Sequence, residues 1–542
     1  MSAKQAEAWL RRFPQLLRQF DAILATPASP LELGEAFADL VRSGFVVAIV
    51  DIRGTGSSFG SQKLPFSNEE ALDAKAVTRW IAAQPFCTGQ VGMAGRSYMG
   101  ANQHLAAMGD SGLSAIFPEM APFDLYSTVY RGGVFQRQFA ASWFADVDRR
   151  DKMDMAVAVD GDAQQLRHAR SEHLANRDLY ALFSALPYRD STDPVTGAVP
   201  YLTNSPSHDG EGFRQPDSAT YHLAGWFDPF VLDAILWFAN IRVPKRLTIG
   251  PWAHSGSAGM DLGREYRRWF GQWLRHEENG VIDGPPVRYY VMGAPAGARW
   301  RASTTWPPQG YGQVRLFFSA GSTETVGSVN DGGLTTSEGQ GDGGAASSDE
   351  YEVDYKATSG PASRWTNVCG GPFGYTDMRA NDERCLTYTS AVLGQAVETA
   401  GSPVVTLWVS STADDGDFFI YLEQVNPDGS VGYVTEGVLR ASHRAMSIPP
   451  YNNVGLPYHR SWREDMRPIG ADPVRLVCAL SPIAWQFPAG SRIRVSIAGS
   501  DADNALTPRL VPAPVIRVHR SAQHASFLDL PVHDDTDRSV LR

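Results

Sequence analysis

The stretch Gln90-Val-Gly-Met-Ala-Gly-Arg-Ser-Tyr-Met-Gly100 decides the fold. Its first half, Gln90 to Gly95, reads as a short buried strand, and from Tyr98 onward apolar residues recur at helical spacing. A serine in the sharp turn between strand and helix projects its hydroxyl clear of the backbone. The position two residues before it must be small, which Gly95 satisfies. The N–H of the next residue, Tyr98, points at an incoming carbonyl, and the helix N-terminus adds positive potential. Ser97 is therefore a candidate nucleophile. The spacing departs from the usual G-x-S-x-G, because position 99 is Met and the second glycine is Gly100. A glycine-flanked serine can also simply join a strand to a helix, so the motif alone leaves both readings open.

Upstream, Phe45-Val-Val-Ala-Ile-Val50 is a β-branched run closed by Asp51-Ile-Arg-Gly-Thr-Gly56. It reads as a buried parallel strand entering a glycine-rich turn. Helices are expected over Leu31–Ser43 and Glu69–Gln84, and an amphipathic one over residues 5–24 (Ala8, Leu10, Phe13, Leu16, Leu17, Phe20). Strands alternating with helices indicate an α/β domain with a parallel sheet. Downstream, strand signals stop from 125 to 219, where helical stretches (Phe144–Leu174, Arg177–Leu186) lead into a loop-rich segment. They return at Thr220–Trp226 and Lys245–Gly250, so 125–219 reads as a helical insertion in the α/β domain. From about Val314 the pattern becomes short alternating runs split by Gly, Asp, Asn and Ser. Leu316–Phe318, Val404–Val409, Asp417–Leu422 and Arg492–Ile497 are examples. Such strands suggest a β-sandwich or jelly roll. The expected parts are therefore 1–124 and 220–313 for the α/β core, 125–219 for the cap and 314–542 for the β-domain. Gly332–Ser348 reads as surface loop around a short strand.

A chain of 542 residues with net charge −11 is too long for one core and too acidic to attract a phosphate backbone, so nucleic acid is not an expected partner. Phe45–Val50 is its longest clean apolar run, far short of a membrane span. Residues 1–24 carry charges throughout and no signal-peptide core, so a cytoplasmic location is expected. The four cysteines (Cys87, Cys369, Cys385, Cys478) fit no zinc pattern. Free, mostly buried thiols are preferred over a local Cys369–Cys385 bridge.

A nucleophilic serine needs a base, and the base needs an orienting carboxylate. Asp228 follows the strand-like Tyr221–Phe227, and His254 follows the next one, Leu247–Ala253. Both stand at strand C-terminal ends, where open parallel sheets carry their ligands. Alone, Asp228 also reads as a helix N-cap before Pro229, and His254 as a satisfied loop histidine. Among the 12 histidines, only His254 follows a buried-strand signal downstream of a matching Asp; His222 lies within a strand and reads as structural. Trp226, Phe227 and Trp252 flank the acid and base, serving either as core or as acyl-pocket wall. Trp143 and Phe144 in the insertion have the same two readings, with packing preferred. Asp51 and Arg53 are expected to form a buried pair beside Ser97, Asp73 to serve the core helix, and Glu277-Glu278 to be solvated. Asp414, Asp415 and Asp417 read as a turn before a strand rather than as calcium ligands.

Taken together these motifs resemble the CocE/NonD family of serine hydrolases, relatives of cocaine esterase, α-amino-acid ester hydrolases, β-lactam acylases and X-prolyl dipeptidyl aminopeptidases. The matching pieces are Asp51–Gly60, Trp80–Pro85, Gly95–Gly100, Gly225–Asp228 and Ile249–His254. In the last third they are Cys385–Ser390, Asp417–Leu422 and Thr435–Arg444. The resemblance implies an α/β-hydrolase core with an inserted helical cap and a C-terminal β jelly roll. It implies Ser97 as nucleophile, Asp228 as orienting acid, His254 as base and the Tyr98 N–H as one oxyanion donor. The implied reaction is ester or amide cleavage of a small molecule, with no metal and no cofactor; self-association is compatible with it. The family's second oxyanion donor is a tyrosine hydroxyl upstream of Asp51, yet no tyrosine precedes Tyr98 here. One missing donor costs about 10² to 10³ in rate, so a weakened hydrolase is expected. Amino-ester or X-prolyl activity needs carboxylates to hold a substrate ammonium, and none can be placed in the cap, so simple esterase leads. The competing reading is a non-catalytic descendant whose jelly roll binds a carbohydrate or partner.

Overall fold

A computed structural model describes residues 30–152, 158, 162–205, 207, 216–337, 347–537 and 541. The helix expected over 5–24 and part of the Gly332–Ser348 loop lie outside them. The chain opens with helix α1 (Pro30–Arg42). Helix α2 (Asn68–Ala82) follows, capped by Ser67, whose side chain accepts from the Glu70 N–H. Strand β1 (Val91–Arg96) runs through Ser97 into helix α3 (Tyr98–Ala106), and β2 (Leu113–Glu119) comes next. The insertion contributes α4 (Arg137–Lys152), α5 (Ala163–His173) and α6 (Leu179–Ser184), capped respectively at the last two by Asp162 and Asp178. The core then resumes with β3 (Ala219–Phe227), α7 (Val231–Asn240), β4 (Lys245–Ala253), α8 (Leu262–Arg275), β5 (Val287–Tyr290) and β6 (Trp300–Ser303).

These six strands form one sheet in the order β1-β2-β3-β4-β5-β6, parallel throughout except for β6. β3 is buried at every position, as a central parallel strand covered on both faces must be. One face carries α1 and α8, whose Leu40, Tyr266, Trp269 and Phe270 pack on Phe117 and Tyr221. The other carries α2, α3 and α7. There His104 of α3 stacks on Trp237 of α7 with ring centroids 3.7 Å apart, and on His222 of β3 at 5.2 Å.

One expectation is overturned. Phe45–Val50 is not a strand and is not buried: it pairs with no other described segment, and Val46, Ile49 and Val50 are 43%, 51% and 54% exposed. Strand identity depends on a neighbour's hydrogen bonds as much as on β-branched side chains. Here β1 is the last strand of the sheet, and nothing described joins its outer edge to this run. Phe45 instead turns to the α8 side, beneath the Arg275 guanidinium. A second correction concerns Arg53, which pairs with Asp73 at 2.6 Å on a half-exposed surface. Asp51 is exposed and accepts from the Ser57 N–H at 2.9 Å.

The described residues after 310 form a network of thirteen hydrogen-bonded strands, antiparallel except for Asn330–Thr335 beside Leu386–Ser390. All four runs expected as strands lie inside longer ones: Tyr311–Ser319, Val404–Ser411, Asp417–Val425 and Arg492–Ala498. The β-domain and the α/β core are not separate cores. One buried cluster holds Trp226, Ile235 and Ile249 of the core together with Leu316, Ile420 and Val495 of the β-domain. Asp417 is held by Arg440 at 2.7 Å and Asp415 accepts from Ser442, so these carboxylates serve the turn. Among the described residues no disulfide joins the four cysteines; Cys385 and Cys478 are buried, and burial pushes the Cys478 thiol up to about 12.

Candidate active site

Ser97 sits at φ 62°, ψ −120°, a conformation that bulky residues rarely adopt, and its side chain does not cap α3. The turn therefore leaves the hydroxyl uncommitted. The two glycines have different reasons. A Cβ on Gly95, at φ 149°, would lie 2.7 Å from the Met99 Cβ. One on Gly100 would lie 2.9 Å from the Ala121 Cβ and 3.0 Å from the Glu119 carbonyl, because there α3 crosses the end of β2. Position 99 faces outward and is 52% exposed, which explains why it tolerates Met.

The same turn is tied to its neighbours by a buried ion pair. Arg96 donates to Glu119 at 2.9 Å and 3.2 Å, the Ser97 N–H donates to the Glu119 carbonyl at 2.8 Å, and Tyr266 donates to the other Glu119 oxygen. A third Arg96 nitrogen lies 3.3 Å from the His254 carbonyl oxygen.

Asp228 and His254 leave β3 and β4 side by side. The two strands approach so closely that a Cβ on Gly225 would lie 2.2 Å from the Trp252 carbonyl. Their register slips between Gly225 and Phe227, a bulge that re-aims the strand ends. His254 Nδ1 then meets Asp228 Oδ1 at 2.7 Å, with both side chains almost fully buried. Asp228 is therefore not the cap of α7; the residue there is Phe230. Asp228 Oδ2 is buried without a hydrogen-bond partner among the described residues, and the Arg131 guanidinium supplies positive charge nearby. Arg131 also donates to the Pro229 carbonyl at 2.7 Å. Further along α7, burial pushes the Asp233 carboxyl up to about 6.

The aromatic candidates divide. Trp226 is fully buried, donates to the Tyr290 carbonyl and packs on Trp306; Trp252 donates to the Ala258 carbonyl in the α8-side core. Both are packing residues: each indole N–H is tied to a backbone carbonyl, and the two rings lie in separate buried clusters. Phe144 stacks on Phe183 inside the cap. Phe227 meets Phe373 of the β-domain at 5.3 Å. Trp143 lies 6.2 Å from Tyr98 and stacks on Phe139, and so approaches the serine turn. The sequence reading missed Phe230, whose ring stands edge-on to His254 at 5.4 Å. It packs in one cluster with Phe139 and Trp365, with Trp143 against it. Phe230 had a signal, being two residues after Asp228; Trp365, in the β-domain, had none.

The Tyr98 hydroxyl does not substitute for the upstream tyrosine. It lies 3.0 Å from both Glu70 oxygens, accepts from Gln62 at 2.7 Å, and burial pushes it well above its ordinary range. It ties α2 to the serine turn. Among the described residues no group of His, Cys, Asp or Glu is arranged to hold a metal ion, and no helix is long and apolar enough to cross a membrane.

Comparison with known proteins points to one family. Residues 4–256 match the family described as X-Pro dipeptidyl-peptidase (S15 family), and 279–528 match the X-Pro dipeptidyl-peptidase C-terminal non-catalytic domain. A Mycobacterium bovis protein assigned as a serine esterase is 33% identical over 546 residues, covering 91% of this chain and 84% of its own. Cocaine esterase of a Rhodococcus species is 28% identical over 552 residues, covering 91% and 89%. The crystal structure of a CocE/NonD family hydrolase from Staphylococcus aureus superposes with a TM-score of 0.66 at 18% identity, over 89% of this chain and 78% of that one. With an α/β-hydrolase core, an inserted helical cap and a C-terminal β-domain, the chain belongs to the CocE/NonD and S15 family of serine hydrolases.

Proposed function

We propose that the chain hydrolyses carboxylic esters of small molecules through an acyl-enzyme on Ser97. The observation that carries this reading is the 2.7 Å contact of His254 Nδ1 with Asp228 Oδ1 at the strand ends, in the sheet whose first strand leads into a serine held at φ 62°. Asp228 keeps the proton on Nδ1, so Nε2 is free to accept one. Nε2 takes the Ser97 proton as Oγ attacks the ester carbonyl. The Tyr98 N–H, at the start of α3, stabilises the developing oxyanion. The imidazolium returns its proton to the leaving alkoxide. Water, deprotonated by His254, then releases the acid and restores Ser97.

The surroundings favour an apolar acyl group. Phe139, Trp143, Phe230 and Trp365 gather beside His254 and Tyr98. The nearby Glu436 accepts from the Trp365 indole N–H and faces Arg364, so it is not a free anchor for a substrate ammonium. Ester cleavage therefore leads over X-prolyl dipeptide release. Comparing the parent with Ser97→Ala on a p-nitrophenyl acyl ester and on a dipeptidyl-proline anilide tests this. Ester turnover that vanishes with Ser97→Ala is expected; equal ester rates in the two proteins would end the reading.

A further inference from the structure

The base emerges where strand geometry stops. His254 is the first residue after β4, so ladder hydrogen bonds do not orient it. Its peptide plane is held from outside instead. The carbonyl edge of the His254–Ser255 peptide lies 3.3 Å from Arg96, the neighbour of Ser97. The N–H edge of the same peptide donates to Asn367 Oδ1 at 2.9 Å. The Ser255 hydroxyl donates to the Asn367 carbonyl at 2.5 Å. A peptide unit pinned at both edges cannot swing, and its orientation fixes the direction in which the His254 side chain leaves the backbone.

Asn367 belongs to the β-domain, at the end of the short helix α9 (Arg364–Asn367). It is itself immobilised: 7% exposed, its Nδ2 donates to the Gly371 carbonyl at 2.8 Å. The loop returns so tightly over α9 that a Cβ on Gly371 would lie 2.6 Å from the Thr366 carbonyl. The residue type follows from these contacts. One end of the amide must accept from an N–H while the other donates to a carbonyl, which Asn does and Asp, Leu or Ala do not. The same helix reaches the other side of the base. Trp365 packs with Phe230, which stands against the imidazole, and lies beneath Arg131, which holds the Pro229 carbonyl next to Asp228.

We propose that Asn367 is a positioning residue for His254, acting through Ser255, so that the reactivity of Ser97 depends on the β-domain. The matching family is described as a non-catalytic domain, and Asn367 touches no reacting atom; its role is to aim one that does. The inference rests on the assignment of Ser97, Asp228 and His254 above. Misplacement of a catalytic group by about 1 Å costs on the order of 10² in rate.

The test uses the full chain and the variants Asn367→Ala, Ser255→Ala, their double and Ser97→Ala. Active sites are titrated with a fluorophosphonate, so that kcat is read per competent site. Asn367→Ala is expected to lower kcat about 10- to 100-fold with KM within about threefold. Ser255→Ala keeps the N–H contact and falls less. The double variant falls no further than Asn367→Ala alone, because the two side chains act on one peptide. A parent kcat per titrated site in Asn367→Ala overturns the inference, as does a loss that lies wholly in the fraction of titratable sites. If Asn367→Ala does not fold, a parent kcat in Ser255→Ala overturns it and a several-fold loss at constant KM supports it. A parent whose Ser97 takes no label fails the functional assignment; labelled Ser97 with an indifferent Asn367 fails this inference alone.

Discussion

Arg96 and His254 are joined through the backbone: a guanidinium nitrogen of the first lies 3.3 Å from the carbonyl oxygen of the second, while the remaining nitrogens hold Glu119. The residue before the serine thus braces the loop that carries His254, the proposed base. The Arg96 and Glu119 side chains are 5% and 0% exposed. Removing one partner of a buried pair strands the other charge and costs about 3–5 kcal/mol. Arg96→Met is expected to lose about that much in urea unfolding. Arg96→Met with Glu119→Leu should recover most of it. A single variant within about 1 kcal/mol of the parent contradicts the pairing.

In the proposed mechanism Asp228 contributes orientation rather than bulk. Asp228→Asn preserves shape but presents an N–H where the imidazole needs an acceptor, favouring the wrong tautomer. A fall in kcat of about 10⁴ is expected, as for the same change in the serine-protease triad. Steady-state ester kinetics checks it; a loss below about tenfold contradicts the assigned role.

The turn chemistry separates two adjacent positions. Gly100→Ala places a methyl 2.9 Å from the Ala121 Cβ against backbone, and overpacking of this kind costs about 1–3 kcal/mol. Met99→Ala, at a half-exposed site, should change stability by less than about 0.5 kcal/mol. Thermal or urea unfolding of the two variants decides; equal effects would mean that the crossing of α3 over β2 is looser than described.

Acid should destabilise the protein through its buried histidines. Burial holds His104 down to about 3 from an ordinary 6.5, and moves His222 and His443 in the same direction. The folded state keeps them neutral, whereas the unfolded chain charges them below 6.5. Their contribution is complete above pH 6.5 and is lost as pH falls from there toward 3, at about 1.4 kcal/mol per pH unit for each such group. Asp233, pushed up to about 6, takes up its proton in the folded state and acts in the opposite sense between pH 6 and 4. His104→Phe should therefore lose less stability than the parent between pH 6.5 and 5. Parallel curves contradict a neutral buried His104.

Much of this was legible in the chain. The serine turn, the two strands ending in Asp228 and His254, and the β-domain runs all carry local signals: glycines at tight crossings, β-branched stretches, alternation. What failed was non-local. Phe45–Val50 has strand composition but lacks a neighbouring strand among the described residues, which no single-segment pattern reports. Trp226 and Trp252 lie two residues before Asp228 and His254, yet their indoles are committed to core packing, a commitment that only the folded chain shows. Asn367 and Trp365 reach the site from more than a hundred residues away, through packing that only the folded molecule shows.

The account rests on Ser97 being the nucleophile, and the most direct measurement is mass-spectrometric mapping of the adduct formed by a fluorophosphonate. The account predicts one label per chain, on the peptide containing Ser97, and none in Ser97→Ala. Stoichiometric label on another residue, or an unlabelled parent that still hydrolyses esters, would contradict it.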